Sequence, residues 1–355
     1  MQIDMHYYGT YALARVAGLD RETSELIATA SQFVDDNTSP ATINFPDGGQ
    51  MQAVASGRHS IPTENISAAD QRTVWVPFHF LPGGKGTTFT EKLVCQKNSS
   101  ILQEMIEHHL LQTHKNFAPA LIGVTAHVLA DTFSHYNFSG VSSRKNDITQ
   151  SSLTIHEPSQ TFSTFEEHSL LSNKYNSNIP NIKASFEEKL TGTLGHAAAE
   201  NYPDLPYLAW SYKTPVGNET IRRYNPDDYM EAAEDLYTLF VRFAELRPDL
   251  TDFTPIPFDD IQDSLAIIFA SPGDKHQRSG FWQVAMEQKN LLKGRSEEIP
   301  PYQGKMWKNR YEELATCPDC TLVTELDVFT FYQAVALHKN YVLYDLLPAH
   351  DILVV

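Results

Sequence analysis

Cysteine is scarce in this chain, and its scarcity excludes a disulfide-stapled fold. The 355 residues include 3 cysteines, Cys95, Cys317 and Cys320, which are too few and too unevenly paired for a disulfide framework. The Cys317-Pro-Asp-Cys320 spacing suits a metal or a redox pair, but a structural zinc site needs four ligands. We therefore interpret this segment as a surface turn without a catalytic role.

Positive charge is also scarce. The chain has 27 Lys and Arg against 44 Asp and Glu, a formal net charge of −17. Such a chain repels polyanions, so we expect no duplex nucleic acid partner and peripheral membrane contact at most. Cations bound in a cleft can still reverse the sign of the field locally.

Long apolar runs are absent. No stretch reaches the roughly 18 apolar residues of a membrane span, and Met1-Gln2-Ile3-Asp4 lacks the features of a secretory signal. We predict a cytoplasmic location, or export without a conventional signal peptide. The hydrophobic fraction of 41% is that of a globular protein.

Apolar residues recur at helical spacing through most of the chain, and strand patterns are few, so we predict an all-α fold. Residues 37–75 are expected to form a long loop or small ribbon, with β-like pieces near 52–55 and 73–76. Residues 139–185 are expected to form a surface excursion. The predicted helices cover 6–34 with a break at Gly18-Leu19-Asp20, then 88–115, 119–138, 186–202, 225–246 and 327–347.

The strongest local feature is His127-Val-Leu-Ala-Asp131-Thr-Phe-Ser-His135, within an apolar helical segment. Residues four apart on a helix lie one turn above another, so these three side chains share a face and can converge on cations. A lone histidine on an apolar face is more often an ordinary core residue. A buried carboxylate between two histidines needs compensation of several kcal/mol, which a metal ion supplies.

His196 and Glu200 form a second pair one turn apart on a predicted helix, with three alanines between them. Asp204 follows in Tyr202-Pro203-Asp204, where a turn residue and a ligand are equally good interpretations. Either Glu200 or Asp204 can complete this site.

Further candidates lie upstream. Asp4 and His6 stand at the start of the first predicted helix, and His79 lies among aromatic and apolar residues. Asp35 and Asp36 close the second helix, where the helix dipole disfavours two carboxylates. Each of these residues taken alone has an ordinary structural explanation. The order of all the candidates along the chain is the stronger indication of a metal site.

Read in chain order, the series is histidine, aspartate, His-Phe, His-x3-Asp with a following histidine, then His-x3-Glu. This order resembles the ligand series of bacterial zinc-dependent phospholipase C and the related fungal single-strand zinc nucleases. The sequence is also similar to an uncharacterised bacterial family that opens with Asp-x-His-Tyr-Tyr-Gly-Thr-Tyr, and to broad-specificity zinc phospholipases of some Gram-negative bacteria. The resemblance covers residues 1–205 and implies an all-helical, phospholipase C-like domain with a zinc cluster.

The resemblance also implies a ligand set for two or three Zn²⁺ ions. Family members use the N-terminal amine and carbonyl of a tryptophan that this chain lacks, and we expect Asp4 to substitute for it. The histidine after the aspartate also comes sooner here than in the phospholipases. The implied ligands are Asp36 or Asp35 with His79 and His127 for one ion, Asp131 as a bridge to an ion on His6, and His135, His196 and Glu200 for the third.

These expectations define a metal-binding catalytic core over 1–205 and a helical C-terminal extension over 206–355 packed on it. We predict a zinc-dependent phosphodiester hydrolase, most simply a phospholipase C, in which metal-activated water attacks phosphorus and Asp36 or Asp35 is the base. One alternative is a nuclease or nucleotidase on the same scaffold, which the negative charge disfavours. Another is a non-catalytic metal-bound interaction protein. The His-Asp metal phosphohydrolases rank last. An adjacent His-Asp dipeptide defines that class, and the one such pair in this sequence, His350-Asp351, lies at the extreme C-terminal end.

Overall fold

The structure, a computed structural model, describes residues 1–38, 42–57, 67–156, 194–215, 219–314, 323–324 and 326–355. Residues 157–193, which include most of the expected excursion, lie outside this description, as do Cys317 and Cys320. Helices dominate the described chain, and its strands form two small sheets. The protein is mostly helical, and the stricter prediction of an all-α fold is wrong.

The helical elements follow one another closely along the chain. The α-helices are α1 (Thr10–Val16), α2 (Arg21–Asp36), α3 (Ala68–Asp70), α4 (Phe89–Lys92), α5 (Ser100–Leu110), α6 (Ala118–His135), α7 (Asn225–Leu246), α8 (Gln262–Ala270), α9 (Lys275–Glu287), α10 (Gly304–Leu314), α11 (Asp327–Asn340) and α12 (Leu347–Ala349). The π-helical segments are π1 (Asp4–Gly9), π2 (Gln71–His79) and π3 (Tyr341–Leu346). The 3₁₀ turns are Arg144–Asn146, Gln150–Ser152, Ala197–Ala199, Tyr202–Asp204, Pro248–Leu250 and Phe258–Asp260.

Both sheets are antiparallel. β1 (Thr42–Asn44) pairs with β2 (Gln50–Gln52) and forms the ribbon expected within 37–75. The other sheet has the order β3 (Thr154–His156), β4 (Ala209–Lys213), β5 (Thr220–Tyr224). The piece expected at 73–76 is instead part of π2. Pro77 lies inside that segment, and its missing N–H interrupts regular α-helical hydrogen bonding.

α6 lies at the centre of the fold, between α2, α7, α11 and π2. It has Pro119 in its first turn, where a missing N–H costs nothing, and it is buried along nearly its whole length. Gly123 permits the close approach of α2, because a Cβ there would come within 2.4 Å of the Ile27 carbonyl oxygen. The polar side chains of a helix enclosed in this way need hydrogen-bond or charge partners inside the protein.

The predicted break at Gly18-Leu19-Asp20 is confirmed. Gly18 has a φ of +92°, a conformation that glycine adopts without strain. The Asp20 carboxylate caps α2 by accepting a hydrogen bond from the Thr23 N–H. α2 can therefore turn back and pack along α6.

One apolar core draws on residues from both sides of position 205. Tyr7 and Leu129 share it with Phe240, Trp282 and Leu343. The division of the chain at residue 205 stays a prediction. Three helices that follow this position, α7, α9 and α11, pack on elements that precede it. None of the described helices is long and apolar enough to cross a membrane.

A buried histidine in the last turn of α11 predicts acid sensitivity. His338 is 0% exposed and donates Nε2–H to the Pro77 carbonyl oxygen at 2.8 Å. Burial lowers the pKa of its imidazole to about 4, whereas a histidine in the unfolded chain has a pKa of about 6.5. The unfolded chain therefore takes up the proton first as the pH falls, and this residue should remove about 2 kcal/mol of stability between pH 7 and pH 5.

The matched variant is His338→Gln, whose amide keeps a donor but does not titrate. Urea denaturation at pH 7 and pH 5 should show a smaller acid loss for the variant than for the wild type. An equal loss in both proteins would contradict this role for His338.

Candidate metal centre

Side chains from π1, α2, π2, α6 and residues 196–204 converge beside the C-terminal half of α6. Within the described residues they form groups whose ligand atoms lie within 4.8 Å of one another. The groups are His6, His127 and Asp131; Asp35, His79 and His127; and His135, His196 and Asp204. Each group could hold a metal ion.

Asp131 lies at the middle of this arrangement. Its Oδ1 is 3.2 Å from His6 Nε2, and its Oδ2 is 3.2 Å from both His79 Nδ1 and His127 Nε2. His135 Nδ1 lies 3.6 Å from the same Oδ2. The one-turn spacing on α6 therefore places His127 and His135 on either side of the buried carboxylate.

Backbone carbonyls fix the proton on several of these imidazoles. A carbonyl oxygen only accepts, so the ring nitrogen that contacts it carries the hydrogen, and in the neutral imidazole the other nitrogen presents a lone pair. Metal-binding histidines commonly have their second nitrogen held in this way. The contacts are His127 Nδ1 to Ser31 O at 2.9 Å, His79 Nε2 to Ser56 O at 2.8 Å, His135 Nδ1 to His79 O at 2.7 Å, and His196 Nδ1 to Glu200 O at 2.7 Å.

The remaining lone pairs face one another and face carboxylates. His127 Nε2 and His79 Nδ1 are 3.1 Å apart, and both are directed at Asp131. His6 is fully buried, stacks on His127 with ring centroids 4.0 Å apart, and has no hydrogen-bond partner for either nitrogen within the described chain. An unsatisfied buried polar group costs about 1–3 kcal/mol. A divalent cation would satisfy these atoms together, so the residues present fit a metal.

The α-amine of Met1 also lies in the centre. It donates to Asp131 Oδ1 at 2.6 Å and is 3.2 Å from Asp204 Oδ1. Burial alone would lower the pKa of this amine, but Asp131 and Asp204 raise it to about 11. A positive charge thus lies between two carboxylates.

The electrostatics of the site favour a cation. Burial opposes ionisation of Asp131, yet His135 and the Met1 amine hold the pKa of that carboxyl well below its usual range. Burial lowers the pKa of His6 well below its usual value and that of His135 to about 4. The carboxylate is therefore charged and both imidazoles are neutral at pH 7, the forms that bind metals.

Asp35 joins the centre, and Asp36 does not. Asp35 Oδ1 lies 3.8 Å from His79 Nδ1 and 3.9 Å from His127 Nε2. Asp36 accepts a hydrogen bond from the Tyr302 hydroxyl at 2.6 Å and belongs to none of the three groups. Successive helical side chains point roughly 100° apart, so only one of the two faces His127.

The expected substitution by Asp4 is not found. The Asp4 carboxylate is 2.6 Å from the Arg278 guanidinium, and both residues are buried. Arg278 also donates to Gln2 Oε1 at 2.6 Å and to the Gly273 carbonyl oxygen at 2.8 Å. A buried carboxylate needs a cationic partner, and here Arg278 provides it. Asp4 thereby ties π1, which carries His6, to α9.

Asp204 takes the place expected for Glu200. The two residues predicted to share an α-helix are separated by the 3₁₀ turn Ala197–Ala199, and Glu200 follows it with a φ of +54°. Glu200 contributes its carbonyl oxygen to His196, while its carboxylate lies outside the three groups. Asp204 Oδ1 is 3.6 Å from His135 Nε2, and its Oδ2 is 3.5 Å from His196 Nε2.

Two residues that the sequence did not single out support the centre from the C-terminal part. Arg223 donates to the carbonyl oxygens of Phe133 and Ser134 at 3.2 and 3.0 Å, and so holds the last turn of α6. His338 binds Pro77, two residues before His79. The contacts of Arg223 with Ser134 and of His338 with Pro77 span 89 and 261 residues, so no local pattern could have revealed them.

The centre is reached through a cleft. A pocket of about 150 Å³ is lined by Trp75, Phe80 and Met1 and by six of the candidate ligands, which are Asp35, His79, Asp131, His135, His196 and Asp204. Beside it, a cleft of about 600 Å³ is lined by Met1 and Asp35 and also by Asp36, Tyr207 and Lys275. The site thus combines candidate metal ligands with room for a substrate.

Fold and site together define a mostly helical protein with a candidate metal centre in a cleft. Residues 1–346 match the family described as "Family of unknown function (DUF6765)", and the chain belongs to this family. No curated protein and no solved structure matches the chain.

A matched pair of variants can test whether Asp204 or Glu200 is the ligand. Asp204→Asn removes an anionic ligand and should weaken metal binding at this group by at least about tenfold, whereas Glu200→Gln should leave it unchanged. Elemental analysis after dialysis against a graded chelator measures both. Loss of bound metal in Glu200→Gln alone would show instead that Glu200, the residue expected from the sequence, is the ligand.

The neighbouring carboxylates of α2 offer a second matched pair. Asp35→Asn should lower metal affinity at least about tenfold, because Asp35 faces His79 and His127. Asp36→Asn should retain the metal and lose only the Tyr302 hydrogen bond. Equal metal content in the two variants at limiting chelator would show that α2 contributes no ligand.

Proposed function

We propose that this protein is a zinc-dependent phosphodiester hydrolase of the phospholipase C type. The observation that carries the proposal is the set of imidazole lone pairs, each fixed by a backbone carbonyl, that face the buried carboxylates of Asp131 and Asp204. The resemblance of the ligand order to zinc-dependent phospholipase C and to the single-strand zinc nucleases supports the same conclusion.

Zinc suits the donor set. Zn²⁺ binds imidazole nitrogen and carboxylate oxygen at three or four protein positions and leaves a position for water in catalytic sites. The two groups that share His127 meet at Asp131, which has an oxygen for each. Since His127 Nε2 offers one lone pair, it would serve only one ion, and the three groups together would hold two or three ions.

The chemistry follows from charge. Bound zinc lowers the pKa of a water ligand to about 7 and neutralises phosphate oxygens. Asp35 is the group we assign as base, because it lies beside His79 and His127 and lines the cleft. The leaving alcohol would take its proton from solvent in the open cleft.

The decisive experiment combines metal and substrate. We expect zinc-loaded protein to release the head group from phosphatidylcholine vesicles and a chelator to abolish the release. Asp131→Asn should lower the rate by at least about 100-fold, with Glu200→Gln as the control of matched chemistry.

Three results would overturn the proposal. Turnover that survives loss of the metal in Asp131→Asn would exclude the zinc mechanism. Cleavage of single-stranded DNA but not of phosphatidylcholine would favour a nuclease on this scaffold. Full metal content without turnover of either substrate would favour a non-catalytic metal-bound protein.

A further inference from the structure

The cleft beside the metal centre is predominantly polar. It encloses about 600 Å³, and Met1 and Asp35 line both this cleft and the smaller pocket of the candidate ligands. A group bonded to a phosphate in the pocket can therefore extend into the cleft. Among the described residues that line the cleft, Tyr207 is the single aromatic one. Because a quaternary ammonium group is recognised by a cage of aromatic faces, this lining does not suit one.

Three neutral polar side chains line the cleft, and each is three residues from a candidate metal ligand. Gln32 precedes Asp35 on α2, where residues three apart are neighbours on one side of the helix. Asn201 and Tyr207 lie on either side of Asp204 in the chain. Residues three apart have Cα atoms within about 11.4 Å of one another, so these side chains lie next to the centre.

These side chains lack hydrogen-bond partners within the part of the chain that the structure describes. Gln32 is 6% exposed and Tyr207 is 8% exposed, yet Gln32 Oε1 and the Tyr207 hydroxyl have no partner there. Asn201 precedes the 3₁₀ turn Tyr202–Asp204, and its side chain does not cap that turn. Since buried polar groups are nearly always hydrogen-bonded, a ligand in the cleft would supply the missing partners.

Charged side chains of the cleft are already engaged by the protein. Arg278 pairs with Asp4, and Asp36 accepts a hydrogen bond from Tyr302. The Asp274 carboxylate accepts from backbone N–H groups in the first turn of α9. The neutral groups are therefore the ones that await a partner. A hydroxyl both donates and accepts, so it matches an amide and a phenol alike.

We propose that this cleft binds a neutral polyhydroxylated group, glycerol-like or sugar-like, that is esterified to the phosphate at the metal centre. Gln32, Asn201 and Tyr207 are the residues that bind its hydroxyls. This inference rests on the proposed function and names the class of head group that the enzyme selects. It also gives a role to Asn201 and Tyr207, for which the ligand series has no use.

A matched pair of synthetic diesters tests the cleft. Glyceryl 4-nitrophenyl phosphate and propyl 4-nitrophenyl phosphate have the same leaving group and the same carbon chain, and only the first carries free hydroxyls on that chain. We expect zinc-loaded protein to hydrolyse the glyceryl ester with a KM at least about tenfold lower and a similar kcat. 4-Nitrophenyl phosphorylcholine should have a KM no lower than that of the propyl ester.

Conservative variants assign the effect to the cleft. Tyr207→Phe removes only the hydroxyl, so it should reduce the glyceryl advantage at least about threefold. It should leave stability in urea unchanged, because that hydroxyl has no protein partner to lose. Gln32→Met, which keeps the length of the side chain, should act in the same way. The control is Tyr237→Phe, whose hydroxyl donates to the Ile256 carbonyl oxygen at 2.8 Å; it should lower stability and keep the advantage.

Three results would overturn the inference. They are equal KM values for the glyceryl and propyl esters, a glyceryl advantage that survives both Tyr207→Phe and Gln32→Met, and a lower KM for the phosphorylcholine ester than for the glyceryl ester. Each variant is judged by the ratio of two KM values measured on one sample, which a misfolded fraction of inactive protein does not change.

Failure of the proposed function would be visible separately. If the wild type hydrolyses none of these esters, the hydrolase assignment fails. Calorimetric titration of the zinc-loaded protein with glycerol 1-phosphate and with propyl phosphate then tests the cleft by affinity alone. Tighter binding of glycerol 1-phosphate that Tyr207→Phe weakens would support the cleft as a polyol site, and equal binding of both phosphates would overturn it.

Discussion

The buried carboxylate of Asp131 is the constraint on which the rest of the site depends. A charge in the protein interior costs several kcal/mol unless other groups compensate for it. Here the Met1 amine donates to this carboxylate, and the imidazoles of His6, His79 and His127 lie 3.2 Å from its oxygens, so that three separate parts of the chain surround the charge. The packing of π1 and π2 on α6 therefore also assembles the polar centre.

Irregular backbone recurs where candidate ligands are presented. His6 lies in π1 and His79 ends π2, and π-helical turns are frequent at functional sites because they redirect side chains. His196 precedes a 3₁₀ turn, and Glu200 after that turn has a positive φ. Such backbone persists only where surrounding contacts hold it. The hydrogen bond from His196 to the Glu200 carbonyl oxygen is one of these contacts.

The C-terminal part shapes the centre although it contributes no residue to the three groups. Arg278 holds Asp4, Tyr302 holds Asp36, and Arg223 holds the end of α6. These contacts determine which carboxylates remain available, because a carboxylate with a close partner elsewhere cannot face the metal groups. The same part provides one wall of the cleft beside the centre through α9.

The sequence by itself determined the mostly helical class, the break at Gly18, and the convergence of His127, Asp131 and His135, because these follow from local periodicity and one-turn spacing. It also identified His6, His79 and His196 as candidates. Only the tertiary structure decided between Asp35 and Asp36 and between Glu200 and Asp204, and it directed Asp4 to Arg278. Those choices depend on partners as many as 274 residues away. The free energy of a buried charge depends on which partner reaches it, and a local sequence pattern does not contain that information.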